Sequence, residues 1–418
     1  MSADRTPAEP PPASDPPSNA ATNAATNAAT NADLDEIGRL AAEMIDRGVR
    51  RVHTMAWRDL DDPDAGGSEV HADEFMRRWA AAGLDVTHRT SAAVGQPAES
   101  TRNGYRVIRR GSRYTVFPRT IVSEITRRMG PYDALVEIWN GVPWFSPVWC
   151  RAPRITFLHH VHGPMWGQIL PGPLAGFGRA LEARIAPPFY RRTQMVTPSE
   201  ATREELLELG FHPDRVLAVN NGVSEQFHPA PDPAVARSPH PLVVAVGRLA
   251  PVKRFDELVR AAVVAKRSVP DLRLEIVGSG PMRAELDALV AAEGAGDWIS
   301  FVGQLPHADL VERYQRAWLV ASASLAEGWG LTLTEAAACG TPAVATDIRG
   351  HRSSVVDGVT GVLAPLDQLG DTLARVLTDH GLRERLAADA LARARTLTWD
   401  ASALGILRAL HAQVLAHR

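Results

Sequence analysis

Short apolar runs and amphipathic stretches alternate along most of the chain. Wholly apolar runs, such as residues 133–140 and 318–325, predict buried parallel strands. Between them, apolar positions three and four apart predict helices, for example one that buries Phe75, Met76 and Trp79. The repeated strand–helix order predicts an α/β fold with two doubly wound parallel sheets, and a ligand cleft between them.

The pattern also predicts where the domains begin and end. Residues 1–33 are rich in Pro, Ala and Ser and repeat the letters N-A-A-T, so we expect a disordered tail. Residues 34–227 form a first domain, residues 242–398 a second, and the Pro-rich residues 228–241 the linker. Residues 399–418 are predicted to be a final helix.

Composition narrows the class of protein. The 418 residues carry a net charge of −3, which gives no general attraction to nucleic acid, and we expect no nucleic-acid partner. No apolar run reaches the roughly 18–20 residues that would span a bilayer, and the first residues lack the apolar core of a signal peptide. Two cysteines cannot build a disulfide framework, so we expect a cytoplasmic location.

One candidate site is the stretch E-G-W-G-L-T-L-T-E, which runs from Glu327 to Glu335 between a predicted strand and a predicted helix. A loop that leaves the carboxyl end of a strand and opens a helix is where open α/β sheets bind ligands. The free N–H groups of Gly330, Leu331 and Thr332 would point at an anion there.

A second candidate site follows the apolar strand that opens the second domain. Arg248 and Lys253 lie in the loop directly after Gly247. A phosphate or diphosphate held in such a loop must have its negative charge neutralised. An arginine fork and a lysine point charge can do this without a metal ion, so we expect neither a metal nor a cofactor.

A third candidate site, the turn Gly66–Gly67, lies between a predicted strand and a helix, which suits a pyrophosphate; an ordinary tight turn is the alternative. The acids just before it, among them Asp59 and Asp64, could instead hold a divalent metal on a diphosphate. We favour a solvated acidic loop over that metal site.

Taken in order, the glycine turn, a strand that ends in histidines, the G-R…K segment and the E-x7-E stretch resemble the retaining glycosyltransferases of family 4 (glycosyl transferases group 1). The resemblance covers most of residues 50–400. It implies a GT-B fold, whose last helix returns to the first domain. It also implies transfer of a sugar from a nucleotide-diphosphate sugar to an acceptor, with retention of configuration.

The resemblance also assigns roles to residues. Arg248 and Lys253 would hold the departing diphosphate together with the amides near Leu331. Glu335 would accept hydrogen bonds from the ribose, and Glu327 would orient the sugar or stabilise positive charge at its anomeric carbon.

Three histidines, His159, His160 and His162, stand at the end of a strand beside Gly163. The resemblance implies that one of them contacts the sugar or the acceptor; we predict His160, with His162 next. The letters H-G-P-M-W-G after the strand resemble the mannosyltransferase branch, so a mannosyl- or glucosyltransferase of glycolipid or polysaccharide synthesis is the expected class.

Two basic stretches with interleaved aromatic residues suggest where an acceptor could reside. Residues 102–128 hold eight arginines against one glutamate, and residues 179–192 hold a second group. Such surfaces can dock on the anionic inner face of a cell membrane, where a lipid-linked acceptor would lie. A solvated face, or a soluble anionic acceptor, explains them equally well.

Three other functions remain open from the sequence. A nucleotide-sugar epimerase of the same fold and a non-catalytic nucleotide-sugar-binding protein share most of the motifs. A dinucleotide oxidoreductase is disfavoured, because Arg283 stands where the third glycine of its fingerprint is expected.

Overall fold

The computed structural model of the chain describes residues 19–169 and 172–417. The strands are β1 Arg51–Met55, β2 Asp85–Thr90, β3 Glu99–Arg102, β4 Tyr105–Arg109, β5 Ala134–Trp139, β6 Arg154–Leu158, β7 Gln194–Thr197, β8 Val216–Ala218, β9 Leu242–Val246, β10 Arg273–Val277, β11 Ile299–Gly303, β12 Leu319–Ser322, β13 Ala343–Thr346 and β14 Gly361–Ala364.

The α-helices are α1 Asn19–Asp46, α2 Gly67–Ala81, α3 Val116–Ile125, α4 Ser146–Trp149, α5 Trp166–Ile169, α6 Gly172–Ala180, α7 Pro187–Tyr190, α8 Glu200–Glu208, α9 Pro233–Ala236, α10 Phe255–Lys266, α11 Arg283–Ala292, α12 His307–Arg316, α13 Leu331–Ala338, α14 Arg349–Ser354, α15 Leu369–Thr378, α16 His380–Ala394 and α17 Trp399–Ala416. The shorter 3₁₀ turns are Gly163–Met165, Pro213–Arg215, Pro251–Lys253 and Leu366–Gln368, and Leu181–Ile185 is a π-helical turn.

The strands form two sheets, and each has one point where the strand order reverses. The first sheet has the order β3-β4-β2-β1-β5-β6-β7-β8, and its pairs are parallel except for β3 with β4. The second sheet has the order β11-β10-β9-β12-β13-β14 with parallel pairs. The order reverses between β1 and β5 and between β9 and β12, where such sheets bind ligands. The predicted fold class is confirmed.

The last helix belongs to the core of the first sheet's domain, although it is last in the chain. Leu404 and Leu407 of α17 are buried with Ile37 of α1 and Trp79 of α2. The Trp79 indole N–H donates to the carbonyl oxygen of Ala403, 3.1 Å away. The apolar faces of α1, α2 and α17 are therefore buried against one another, so the first and the last helix described pack in the same core.

Two features differ from the predicted boundaries. Helix α1 begins at Asn19, so residues 19–33 are helical rather than disordered; residues 1–18 lie outside the described residues. Part of the predicted linker is fixed on the second domain, because Arg237 donates to the carbonyl oxygen of Gly340 and the Ser238 N–H donates to that of Arg316. Alanine has the highest helix propensity, and α1 continues into an apolar face that packs, which accounts for the helical tail.

Among the described residues, no helix is both long enough and apolar enough to cross a membrane.

Candidate functional site

The two points of strand reversal face each other across a cleft. Close approaches of the backbone show this directly. A Cβ atom placed on Gly328, in the loop after β12, would lie 2.4 Å from the carbonyl oxygen of His159, at the end of β6. A Cβ atom on Gly67 would lie 2.7 Å from Cδ1 of Leu331. The Ser199 hydroxyl is 3.3 Å from the Gly328 carbonyl oxygen. Glycine at these positions lets the two domains touch.

Lys253 and Glu327 meet at the reversal point of the second sheet. Lys253 follows β9 and Glu327 follows β12, and the ammonium binds Oε1 of the carboxylate. Ser324 also donates to that oxygen, over 2.7 Å. Burial alone would raise the pKa of Glu327, but Lys253, His351 and Ser324 outweigh it and hold the pKa below its ordinary value. Glu327 is therefore a carboxylate held beside a cation.

Arg248 reaches across the cleft from the same loop as Lys253. Its Nη1 lies 3.6 Å from the carboxylate of Asp64, in the loop before Gly66. Both side chains are about half exposed, at 48% and 42%, so this ion pair contributes little to stability. Without a ligand, Arg248 and Lys253 thus have carboxylates as partners, and a diphosphate would compete with those carboxylates.

The turn after Glu327 leads into the N-terminus of α13. Gly330 has a left-handed backbone with φ of +99°, which glycine adopts without strain. Leu331 and Thr332 are the first residues of α13, so their N–H groups face the cleft end of the helix. The structure therefore brings the three residues of the predicted anion site to one helix end.

Glu335 lies one turn further into α13. Its Oε2 accepts a hydrogen bond from the Tyr314 hydroxyl of α12, 3.2 Å away. Burial raises the pKa of Glu335 to about 7, although the Tyr314 hydrogen bond lowers it. Glu335 is therefore close to half protonated at neutral pH.

The three histidines have different surroundings. The His159 ring is buried in an edge contact with His71, with ring centroids 5.2 Å apart. His162 stacks on Trp166 at 5.0 Å, and its backbone N–H donates to Glu182 over 2.8 Å. His160 lies near Gly328, whose Cβ position is 3.4 Å from that of His160, and it feels the charge of Lys253. Burial lowers the pKa of both His159 and His160 well below the ordinary value, so both are neutral.

His159 meets the Gly328 loop through its backbone, whereas His160 meets it through its side chain and also feels the Lys253 charge. His162 lies directly behind His160, with ring centroids 4.3 Å apart, and supports its position.

The acidic loop before Gly66 is neutralised by arginines. Asp59 is fully buried and accepts a hydrogen bond from Arg102 over 2.8 Å, and Arg109 lies 3.2 Å from its other oxygen. Asp61 binds the same two arginines. Within the described ranges, no cluster of three or more His, Cys, Asp or Glu side chains is arranged as a metal site. The acidic loop is thus partly charge-compensated by arginines and not, as we expected, solvated throughout.

Several arginines of the first basic stretch already have carboxylate partners. Besides the two arginines that bind Asp59, Arg106 and Arg110 both pair with Glu99 at the surface, at 2.7 Å. Exposed apolar side chains occur in both basic stretches and between them. The large ones are Tyr114, Val122, Ile125, Val148, Leu174, Phe177, Ile185 and Phe189. We call this set, with the exposed arginines of residues 113–128 and 179–192, the arginine–apolar surface.

Several side chains of the site escaped sequence analysis. Ser324, His351 and Tyr314 support the two glutamates. His351 and Tyr314 lie on other helices than the E-x7-E stretch, while Ser324 lies three residues before the first glutamate in the same loop. Glu69 closes the glycine turn, because its Oε2 accepts from the Gly66 N–H over 2.8 Å. Glu69 could have been found from the sequence, because it stands three residues after Gly66, the spacing at which a glutamate caps the start of a helix.

Comparison with known families agrees with this architecture. The family described as Glycosyltransferase Family 4 matches residues 65–227, and the family described as Glycosyl transferases group 1 matches residues 231–393. The two matches cover the first and second domain respectively.

Relatives match over nearly their whole length. A protein named D-inositol 3-phosphate glycosyltransferase from Frankia alni is 38% identical over 402 residues, which cover 85% of this chain and 97% of the relative. A protein of the same name from Kribbella flavida is 30% identical over 419 residues, covering 87% and 96%. The sucrose-phosphate synthase structure from Thermosynechococcus elongatus superposes with a TM-score of 0.73 at 22% identity, over 88% of this chain and 100% of that one.

The fold and the cleft define a GT-B glycosyltransferase that uses a nucleotide sugar. The chain belongs to the group 1, family 4 glycosyltransferases. Since these relatives are named as transferases, the epimerase and the non-catalytic binder are set aside.

Replacement of Gly328 by alanine should separate domain closure from folding. The new Cβ would meet the His159 carbonyl oxygen at 2.4 Å, a contact between backbones of two domains. Each domain can keep its core while the cleft opens, so we expect thermal unfolding to change little. We expect kcat/KM to fall at least about tenfold, because the reacting groups are displaced. Gly296→Ala, whose Cβ would meet nothing within 4 Å, is the control. Equal activity of the two variants would contradict the closed cleft.

Proposed function

We propose that the protein transfers a sugar with retention of anomeric configuration and without a metal ion. The observation that carries this proposal is the contact between Lys253 and Glu327 at the reversal point of the second sheet. It sets a cation for the diphosphate directly beside a carboxylate for the sugar.

The departing diphosphate would be held by Arg248, Lys253 and the N-terminus of α13. Each of the two cations has a carboxylate partner in the free protein, Asp64 and Glu327 respectively. A diphosphate would replace Asp64 at Arg248 and share Lys253 with Glu327. Charge that develops on the leaving oxygen is then met by groups already in place.

Glu327 would orient the transferred sugar and stabilise positive charge at its anomeric carbon. Its partner is a lysine and not a second carboxylate, which differs from the two-acid arrangement of most glycosidases. We propose that the acceptor attacks on the face that the diphosphate leaves, with the diphosphate as the base. His160 would bind a sugar or acceptor hydroxyl through its neutral ring.

Metal independence is supported by the state of the acidic loop. Asp59 is enclosed by Arg102 and Arg109, so its charge is already compensated. A divalent ion would have to displace two arginines to reach it. Transfer that persists in EDTA would support the proposal, and transfer restored only by Mg²⁺ or Mn²⁺ would contradict it.

Retention is tested by the configuration of the product. We propose a hexosyl donor, because a structural neighbour, the Anabaena protein HepE, was solved with UDP-glucose (TM-score 0.66, 16% identity). UDP-glucose, UDP-N-acetylglucosamine, GDP-mannose and ADP-glucose would each be assayed by nucleotide release. The anomeric proton coupling of the product, read by NMR, should match that of the donor, and an inverted product would contradict retention.

Binding of the donor should weaken as the pH falls below about 7. Glu335 has a raised pKa of about 7 in the free protein, and ribose hydroxyls would donate to its carboxylate form. The bound protein then has the lower pKa, so the loss of affinity approaches tenfold per pH unit below 7. Tyr314→Phe removes a hydrogen bond that lowers this pKa, so the loss should begin at higher pH. Calorimetric titration with a sugar nucleotide between pH 5.5 and 8.5 measures it, and a flat profile would contradict the role of Glu335.

The acceptor class follows from the names of relatives and from the surface. Relatives named for D-inositol 3-phosphate suggest a phosphorylated polyol. The arginine–apolar surface favours instead a lipid-linked acceptor at the inner face of the membrane, with the protein in the cytoplasm. Phe177 and Phe189, 60% and 49% exposed, stand among arginines there. Co-sedimentation with phosphatidylglycerol vesicles, but not with phosphatidylcholine vesicles, would support the second acceptor class; no binding to either would exclude it.

A further inference from the structure

The start of α14 lies directly against the loop that carries Glu327. A Cβ atom on Gly350 would be 2.1 Å from the Glu327 carbonyl oxygen, so no side chain fits there. A Cβ atom on Gly330 would be 3.4 Å from Cδ2 of His351. The position of the loop is therefore set by the segment Gly350–His351, which follows β13 in the chain.

A row of polar contacts runs from this segment to the Glu327 carboxylate. The ring nitrogen Nε2 of His351 is 3.2 Å from Oγ of Ser322, and Ser322 Oγ is 3.2 Å from Oγ of Ser324. Ser324 donates to Oε1 of Glu327 over 2.7 Å. His351 and Ser324 are buried, while Ser322 and Glu327 are partly buried.

Thr346 holds the other end of this row of contacts. Its carbonyl oxygen is 2.8 Å from Nδ1 of His351, and a carbonyl only accepts, so Nδ1 carries a hydrogen. The Thr346 hydroxyl donates to the backbone oxygen of Ser324 over 2.7 Å. A single residue at the end of β13 thus fixes both the ring of His351 and the backbone that precedes Glu327.

The direction of the hydrogen bonds leaves His351 a fixing role in both of its protonation states. In the neutral ring, which burial favours by lowering the pKa of His351, Nε2 is an acceptor and the Ser322 hydroxyl donates to it. Ser322 then has no hydrogen for Ser324, whose own hydrogen goes to Glu327, so the ring acts on the loop through Thr346 and through the position of Ser322. In the imidazolium, Nε2 donates to Ser322, whose hydroxyl then donates to Ser324. In either state the ring holds the Ser322 oxygen in place.

We infer that His351 is a positioning residue which, through Thr346 and Ser322, fixes the segment that carries Ser324 and with it the carboxylate of Glu327 beside the donor sugar. This inference rests on the proposed function of Glu327. Both groups that hold the carboxylate, Lys253 and Ser324, bind its Oε1. Oε2 would then be the oxygen left for the substrate. A carboxylate that must meet a developing charge loses effectiveness when its orientation is free.

The test is a double-mutant cycle in transfer kinetics. His351→Leu and His351→Gln would be made in the natural sequence and in Glu327→Gln. Nucleotide release would be measured with whichever of UDP-glucose, UDP-N-acetylglucosamine, GDP-mannose and ADP-glucose turns over fastest. We expect His351→Leu to lower kcat by about 10- to 100-fold with donor KM changed less than about twofold. His351→Gln should keep most of the activity, because its amide oxygen can accept from Ser322 as Nε2 of the neutral ring does. In the Glu327→Gln background, His351→Leu should cause no further loss.

Two more variants keep the test decisive. Ser324→Ala breaks the row of contacts at a small side chain and should show the same non-additivity with Glu327→Gln, even if His351→Leu folds poorly. Ser353→Ala is the control and should leave kcat unchanged, because the Ser353 side chain is half-buried and its hydroxyl donates to the Arg349 carbonyl oxygen within α14.

Each contrary outcome has a distinct meaning. If Glu327→Gln lowers kcat but His351→Leu and Ser324→Ala add their losses independently, the positioning role is wrong while the proposed function stands. If His351→Leu and His351→Gln lower kcat equally, and both also lower the midpoint of thermal unfolding, His351 only stabilises the core and the positioning role is likewise wrong. If Glu327→Gln leaves kcat unchanged, the proposed role of Glu327 fails, and the positioning role fails with it.

Discussion

Replacement of Glu327 by glutamine should lower the kcat of sugar transfer by about 10²–10³-fold, with little change in donor affinity. Glutamine keeps the size of the side chain and the hydrogen bond from Ser324 but removes the negative charge. An interaction made mainly in the transition state appears in kcat rather than in binding. Removal of one preorganised electrostatic group from an active site has a cost of this order.

The matched control for this variant is Glu312→Gln on α12, an exposed glutamate whose ion pair with Arg316 lies on the surface. It makes the same chemical change and should leave kcat and the midpoint of thermal unfolding unaltered. A Glu327 variant with the kinetics of this control would show that the carboxylate has no part in the reaction.

Replacement of Lys253 by methionine should lower kcat/KM by about 10³-fold or more, because it removes two effects at once. The diphosphate loses a charge-assisted partner, and Glu327 loses the cation that holds its pKa down. The pKa of Glu327 then rises, so its ionised form, and with it the activity, should be lost at higher pH than in the natural protein. The pH dependence of kcat/KM measures this shift directly.

The chain offers a close control in Lys266 of α10. Its ammonium donates to the carbonyl oxygen of Leu272 and lies over the ring of Trp298, away from the cleft. Lys266→Met changes the net charge equally and should leave kcat/KM and its pH dependence unchanged. Similar losses in both variants would point to a general effect of charge and not to the diphosphate.

Most of the fold could be predicted from the sequence because its strands are buried on both faces. A buried parallel strand is a continuous apolar run, as in β5 and β9, and such runs are hard to mistake. The tail was mispredicted because the pattern of apolar positions begins only at Ile37. The repeat before Ile37 has no large apolar residues at helical spacing. It is nevertheless rich in alanine, which favours a helix, and it continues directly into the packed part of α1.

The site was predictable where its residues directly follow strands. Arg248 and Glu327 each come after an apolar run, and parallel strands bring their carboxyl ends to one edge of the sheet. His351 could not be found in this way. Its partner Ser322 lies on another strand, and their contact depends on the packing of α14 against the loop after β12. Sequence spacing does not encode such a contact.

Charge patterns in the sequence were the least informative. Arginines 102 and 109 belong to a stretch that predicts a docking surface, yet both turn inward to Asp59. Whether a charged side chain faces solvent depends on partners far away in the sequence, which a local count does not include.

Calorimetric titration of the protein with UDP, GDP and ADP, each with and without EDTA, tests whether Arg248 and Lys253 hold a diphosphate without a metal ion. We expect that one of the three binds, that EDTA leaves its affinity unchanged, and that Lys253→Met weakens it while Lys266→Met does not. Binding that requires a divalent ion, or that is indifferent to Lys253, would contradict a diphosphate held by Arg248 and Lys253.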